Sequence, residues 1–130
     1  QPFYDTKTET LFFVSNMPGG KGGYDIYFTR RIGKFGWSAV QNLEYANSPY
    51  DDLFPTLDAE SNLYFSRPVD ARGLEIFCLP NGARIPLALP GPFNTVGDDF
   101  NFSVIDKRNI VLARVSKRNG NSDIFLYSLK

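Results

Sequence analysis

The residues best suited to chemistry in this chain are two acidic pairs, Asp51-Asp52 and Asp98-Asp99. Each pair is followed at the same distance by an arginine, Arg67 or Arg114, and by an asparagine, Asn62 or Asn109. Each also opens an aromatic-bearing run, Leu53-Phe54-Pro55-Thr56-Leu57 or Phe100-Asn101-Phe102-Ser103-Val104. Adjacent carboxylates offer hard oxygen donors to a cation such as calcium, or to a polar ligand. Carboxylates at a fixed distance from arginine equally suit an ion pair inside each unit, with the remaining lone pairs on turn amides. The second reading is favoured because Asp and Arg come and go together. In the first part of the chain Ser15 stands where the arginine would be, and no acidic pair precedes it.

The other candidates are weaker. Asp25-Ile26-Tyr27, Glu75-Ile76-Phe77 and Asp123-Ile124-Phe125 form a recurring acid-Ile-aromatic triplet. Two such carboxylates could act as a general acid/base pair, as in glycoside hydrolysis. A catalytic pair need not recur in every unit, so a repeated structural hydrogen bond fits better. Gly19-Gly20-Lys21-Gly22-Gly23 has the glycine content of a phosphate-cradling loop but lacks the Gly-Lys-Ser/Thr order, and a strand pattern follows it. A flexible connection that presents Lys21 to a partner is the expectation. Cys78 is the sole cysteine and the chain has no histidine, which removes disulfides, Cys-based zinc sites, His triads and an activating base for the thiol. Cys78 is expected to be buried and inert. Tyr45, Tyr50 and Trp37 fall in or near loops and could anchor a partner. The candidate binding set is Tyr50, Lys21, Asp51, Asp52, Asp98, Asp99, Arg67 and Arg114. No catalytic residue, cofactor or metal set is assigned, with calcium a less favoured option.

Something must position these groups, and the bulk composition says what. A chain of 130 residues suits one domain with a real core. Phe, Tyr and Trp make up 15%, which favours strands. Fourteen basic residues balance fourteen acidic ones and the signs are interspersed, which argues against nucleic acid as a partner. No run reaches the roughly 18 apolar residues of a membrane span, and no basic amphipathic helix is visible, so direct membrane insertion is not expected. The chain begins at Gln1 without Met and reads as a mature or excised form.

Apolar residues come in runs of four or five between turn residues, without helical periodicity. The first unit, 2–46, reads as strands at 2–4, 11–14, 24–29 and 37–43, with turns at 5–10 and 31–36 and a loop at 15–23. The second, 51–92, reads as strands at 53–57, 63–66, 75–79 and 83–89. A turn at 58–62, a loop at 68–73 and Pro80-Asn81-Gly82 separate them, and Pro86 places the last strand at a sheet edge. The third, 98–130, reads as strands at 100–105, 110–114 and 123–127, with a turn at 106–109 and a loop at 116–122, and lacks a fourth. Sequence repeats of about 40 to 50 residues built from four short strands each are the mark of propeller blades. The expectation is an all-β partial β-propeller of three antiparallel blades, one domain over 1–130. Trp37 should cap the edge of the apolar layer, and the acidic pairs should precede the first strands. Pro2 aligns with Pro55, so both ends look cut from a larger array, leaving apolar faces prone to pairing.

At several stretches the chain resembles the TolB-type, WD-like propeller repeats of Bacteroidota envelope proteins. The residues that carry this are Leu11-Phe12-Phe13-Val14-Ser15-Asn16-Met17-Pro18-Gly19-Gly20, Gly22-Gly23-Tyr24-Asp25-Ile26-Tyr27, Trp37-Ser38-Ala39-Val40-Gln41-Asn42-Leu43 and Asn47-Ser48-Pro49-Tyr50-Asp51-Asp52. The resemblance covers nearly the whole chain, and the third unit matches least. It implies a periplasmic or outer-membrane-associated scaffold, in proteins that often carry helical repeats and an OmpA-like domain, including type IX secretion components. It also implies partners: other proteins, or further blades that complete the ring. The rival readings are a carbohydrate-active propeller enzyme and a calcium-binding structural domain. No OmpA-like segment and no lipobox cysteine is visible in this chain.

Overall fold

The computed structural model describes residues 1–116 and 118–130. Lys117, in the loop expected at 116–122, lies outside the described residues. Alternating and β-branched or aromatic runs form strands here, and the described residues contain no α-helix, only one short 3-10 turn at Asp70–Arg72. No helix among them is long and apolar enough to cross a membrane.

Three antiparallel sheets follow one another along the chain. The first contains β1 (Phe3–Asp5), β2 (Thr10–Ser15), β3 (Asp25–Ile32), β4 (Gly36–Trp37) and β5 (Gln41–Asn42). The second contains β6 (Leu53–Leu57), β7 (Leu63–Val69), β8 (Gly73–Leu79) and β9 (Leu87–Ala88). The third contains β10 (Gly97–Val104), β11 (Asn109–Ser116) and β12 (Ser122–Ser128).

Each first hairpin turns on an aspartate, though not at one fixed position. Asp5 accepts the amides of Lys7 and Thr8, Asp58 those of Glu60 and Asn62, and Asp106 those of Arg108 and Asn109. A short carboxylate two to four residues before a free amide closes a turn without help from the ladder. The first strands of the second and third sheets share a further device. Phe54 and Asn101 hold φ of 56° and 52°, and the strand register slips around each. Such bulges bend a strand, which lets it follow the neighbouring sheet.

The sheets are layered by alternation within single strands. Phe65 and Leu63 on β7 face the first sheet, in a core with Ile26, Ala46 and Leu79. Tyr64 between them joins the other core, with Ile76, Phe102, Ile110 and Leu112. The middle sheet is therefore covered on both faces. The isoleucine of the recurring triplet reports this layering. Ile26 and Ile76 are each 0% exposed under the following sheet, whereas Ile124, at the same register position, is 79% exposed.

Several boundaries differ from the sequence reading. The strand expected at 37–43 is split, because β4 folds back on Arg31 and Ile32 while β5 pairs further along with Tyr27 and Phe28. Ser38, between them, bonds the Arg30 amide by its hydroxyl and so replaces a ladder rung. β3 accordingly runs on to Ile32, through the expected turn at 31–36. The strand expected at 83–89 shrinks to Leu87–Ala88, beyond Pro86. β7 runs through Pro68 and Val69 to pair with Leu74 and Gly73, so the loop at 68–73 is reduced to the 3-10 turn. Trp37 is partly exposed and packs edge-on against Tyr4, 6.3 Å between ring centres, at the rim of the first sheet.

Candidate functional site

The two acidic pairs sit where one sheet hands over to the next, and each pair splits its work between both sheets. Asp52 is fully buried. One carboxylate oxygen accepts Arg67 Nε at 2.8 Å, and the other accepts the Ser48 amide at 2.7 Å and hydroxyl at 2.9 Å. Asp99 repeats this with Arg114 Nε and with the Thr95 amide and hydroxyl, at 2.7 Å and 3.0 Å. The first aspartate of each pair reaches back instead. Asp51 accepts the Tyr24 amide at 2.9 Å, and Asp98 the Leu74 amide at 2.8 Å, at the starts of β3 and β8. Asp98 and Asp99 lie within β10 itself, not ahead of it, because the third sheet's ladder continues to Gly97.

The arginines close the device. Arg67 Nη2 donates to Ala46 O at 2.5 Å, and Arg114 Nη2 to Pro92 O at 2.9 Å and Phe93 O. Their guanidinium planes lie over the aromatic residue of the triplet, 4.8 Å from the Phe77 ring centre and 4.9 Å from that of Phe125. Burial pushes the Asp52 carboxyl above its ordinary value, against the pull of Arg67 and Ser48. Burial works against the Arg114 charge too, but Asp99 and Tyr127 hold its pKa above the ordinary arginine value.

Two residues essential to this arrangement escaped the sequence reading as a pair. Asn47 Oδ1 accepts the Ile26 amide at 2.7 Å while its Nδ2 donates to Ile26 O at 2.8 Å and Asn42 Oδ1 at 2.9 Å. Asn94 grips Ile76 identically, at 2.6 Å and 2.9 Å, and also donates to Leu89 O at 2.8 Å. Each joint therefore runs from the Ile of one sheet through Asn, Ser or Thr, and Asp to the Arg of the next. The signal was present: Asn47-Ser48 and Asn94-Thr95 stand at equal distances before the acidic pairs.

Glycine supplies the close approach. A Cβ at Gly73, whose φ is +100°, would sit 2.5 Å from Asp98 Oδ1, and one at Gly23 would collide with Asp51 Oδ1. The third sheet has Asn121 at the corresponding place.

The Gly-rich loop does cradle an anion, but the anion belongs to the chain. The amides of Lys21 and Gly22 point at the Asp25 carboxylate, at 2.5 Å and 3.1 Å, and Asn42 donates to it at 2.8 Å. The loop is thus tied down at its centre, contrary to the expectation of a free connection. Glu75 is buried and pairs with Arg72 at 3.1 Å, and Asp123 is exposed. The triplet acids therefore do not share one repeated hydrogen bond, because the loops before them differ in length. Cys78 is half-buried, less than expected, and burial raises its thiol pKa, with Tyr64 opposite it in the ladder. Tyr64 donates to Asp58 at 3.0 Å, and burial raises its pKa as well.

Of the candidate binding residues, the structure brings Asp52 to Arg67 and Asp99 to Arg114. Tyr50 is exposed beside the first joint, and Lys21 Nζ bonds Glu44 O at 2.5 Å. Among the described residues no group of three or more Cys, Asp or Glu side chains is placed to hold a metal ion. Comparison with protein-family models, with curated proteins and with solved structures finds no match.

Proposed function

We propose that this chain is a non-enzymatic scaffold, three blades of a TolB-like β-propeller, that binds other protein through the open end of its sheet stack. The observation that carries the reading is the triplet isoleucine. Where a following sheet is present it is fully buried, and on the third sheet it stands 79% exposed beside Leu126, 65% exposed, two residues along the same face. A face patterned for burial and left in water is an interaction surface. The stacking order supports the propeller reading, since β6 and β10 each lie against the preceding sheet. The carboxylates that would serve a hydrolase or a calcium ion are taken up by amides, hydroxyls and guanidinium groups, which favours a structural use. The resemblance to envelope repeats supports a periplasmic or outer-membrane-associated setting, with other proteins or further blades as partners.

The test is sedimentation of the purified chain over a range of concentrations, with an apolar dye as a second readout. The native chain is expected to self-associate and to bind dye, and the Ile124→Lys/Leu126→Lys variant to do neither while keeping its far-ultraviolet spectrum. A native chain that stays monomeric and dark at high concentration would overturn the reading.

A further inference from the structure

The boundary between the first and second sheets holds a cleft of about 510 Å³, and none of the residues lining it belongs to the third sheet. Its floor is apolar, with Phe12, Phe28 and Leu43 on one side and Leu57, Leu63 and Leu79 on the other. Leu63 and Leu79 belong to the first core, and Phe12, Leu43 and Leu57 pack against it. Alternation puts Ile26, Phe28 and Arg30 on one face of β3, and they step outward from that core: buried, half-buried and exposed. Arg30 lies over the Phe28 ring, 5.6 Å from its centre. On the opposite wall Arg84 reaches across to Tyr45, 5.2 Å from its ring centre. Arg67, Arg72 and Arg114 each pair with a carboxylate, whereas among the described residues the guanidinium groups of Arg30 and Arg84 have neither an ion pair nor a hydrogen bond. Asp5 is the one acidic side chain lining the cleft, and its oxygens are taken by the Lys7 and Thr8 amides and the Thr8 hydroxyl.

The second boundary shows that this space is not a property of the repeat. Phe93 stands there where the first boundary has Ala46, and Phe102 where it has Pro55. Phe93 packs edge-on against Phe102 at 5.6 Å, and Tyr64 lies 4.7 Å from Phe102. The counterpart of Arg30 on the second sheet is Pro80. One boundary is filled with rings, and the other is left hollow and rimmed with unpaired cations.

We infer that this cleft binds a small monocarboxylate with an apolar tail, of the kind a medium-chain acyl acid provides. The tail lies on the phenylalanine and leucine floor, and the carboxylate stays at the rim with Arg30 and Arg84. The volume is that of an ordinary small-molecule site, mostly apolar with a few polar groups that fix orientation. A planar guanidinium offers paired donors that match a carboxylate, and stacking on Phe28 and Tyr45 holds each plane in place. Charge balance selects the monoanion. Two arginines and Asp5 leave one net positive charge along the lining. A phosphate monoester, nearly doubly charged at neutral pH, overshoots that balance and meets Asp5 as a like charge. An uncharged lipid leaves both arginines unanswered.

The site is independent of the third sheet and of its reading as an interaction surface. The probe is octanoate, with octanol as the uncharged control, titrated into the native chain while amide and methyl resonances are followed. Octanoate is expected to give saturable shifts at Phe12, Phe28, Leu63 and Leu79. The Arg30→Gln/Arg84→Gln variant changes two exposed side chains, so the spectrum of the free chain and its sedimentation should be kept. Its affinity for octanoate should fall about tenfold, the effect of losing two rim ion pairs, while its affinity for octanol should not change. No saturable response to octanoate, shifts confined to β12, unchanged octanoate affinity in the double glutamine variant, or a loss shared equally by octanol would each overturn the inference.

Discussion

At the scale of single residues, the acidic pairs look like a site and are built as a splint. Both oxygens of Asp52 and of Asp99, and one oxygen each of Asp51 and Asp98, take donors from the chain, and the donors come from two different sheets. Removing one partner from such a pair costs more than the pair contributes, because a buried charge is left behind. Arg67→Ala is therefore expected to destabilise the fold by about 3 kcal/mol, read as a lowered midpoint in urea. A midpoint within error of the native chain would show that Asp52 is hydrated and the joint is dispensable. The pairing of Asp with Arg was legible because the two residues recur together. The asparagines were not, because a carboxamide gripping one residue's main chain leaves no charge pattern. Only extending the repeat four residues upstream brings them out.

At the scale of elements, the order of strands, the hairpin turns and the three strands of the third sheet among the described residues could be read directly from apolar runs and punctuation. Strand ends could not. Pro68 lies inside β7 although proline signals a boundary, and the stretch from Trp37 to Leu43 divides because the Ser38 hydroxyl substitutes for a rung. Both are cases where side-chain bonds outvote composition. The third hairpin gives a test with a definite sign. Asp106 has its carboxyl held below the usual range chiefly by Asn109, then by the Arg108 amide. A depressed folded pKa means that the turn is favoured while the carboxylate is charged and loses this support as pH falls through that depressed value. Exchange at the Arg108 and Asn109 amides, corrected for intrinsic rates, should therefore speed up only below the ordinary carboxylate range. Protection that stays constant down to unfolding would mean that the Asp106 bonds do not hold the turn.

At the scale of the whole molecule, successive sheets meet through one core and one joint per boundary, in the manner of a linear stack. The repeat in the sequence and the unit of structure are out of phase, since each joint begins in the loop that leaves one sheet and ends on the second strand of the next. The Tyr127 hydroxyl and Pro92 O, both within reach of Arg114, show the same overlap at the second boundary.

The middle position of the second sheet has a dynamic consequence. A stack of this kind loosens from its ends, and the free energy needed to open any amide grows with the number of boundaries that must first be broken. Ile76, gripped by Asn94 and shared by neither end, should report the global opening event, while the β12 amides open in isolation. Exchange measured residue by residue in the native chain should therefore rank Ile76 slowest and Ile124 fastest among the three triplet isoleucines, with Ile26 between them. A ranking that puts Ile26 and Ile124 level with Ile76 would mean that the chain melts as one block. The graded ranking would make the second sheet the seed on which the other two order themselves, so that its own contacts set the lifetime of the folded chain.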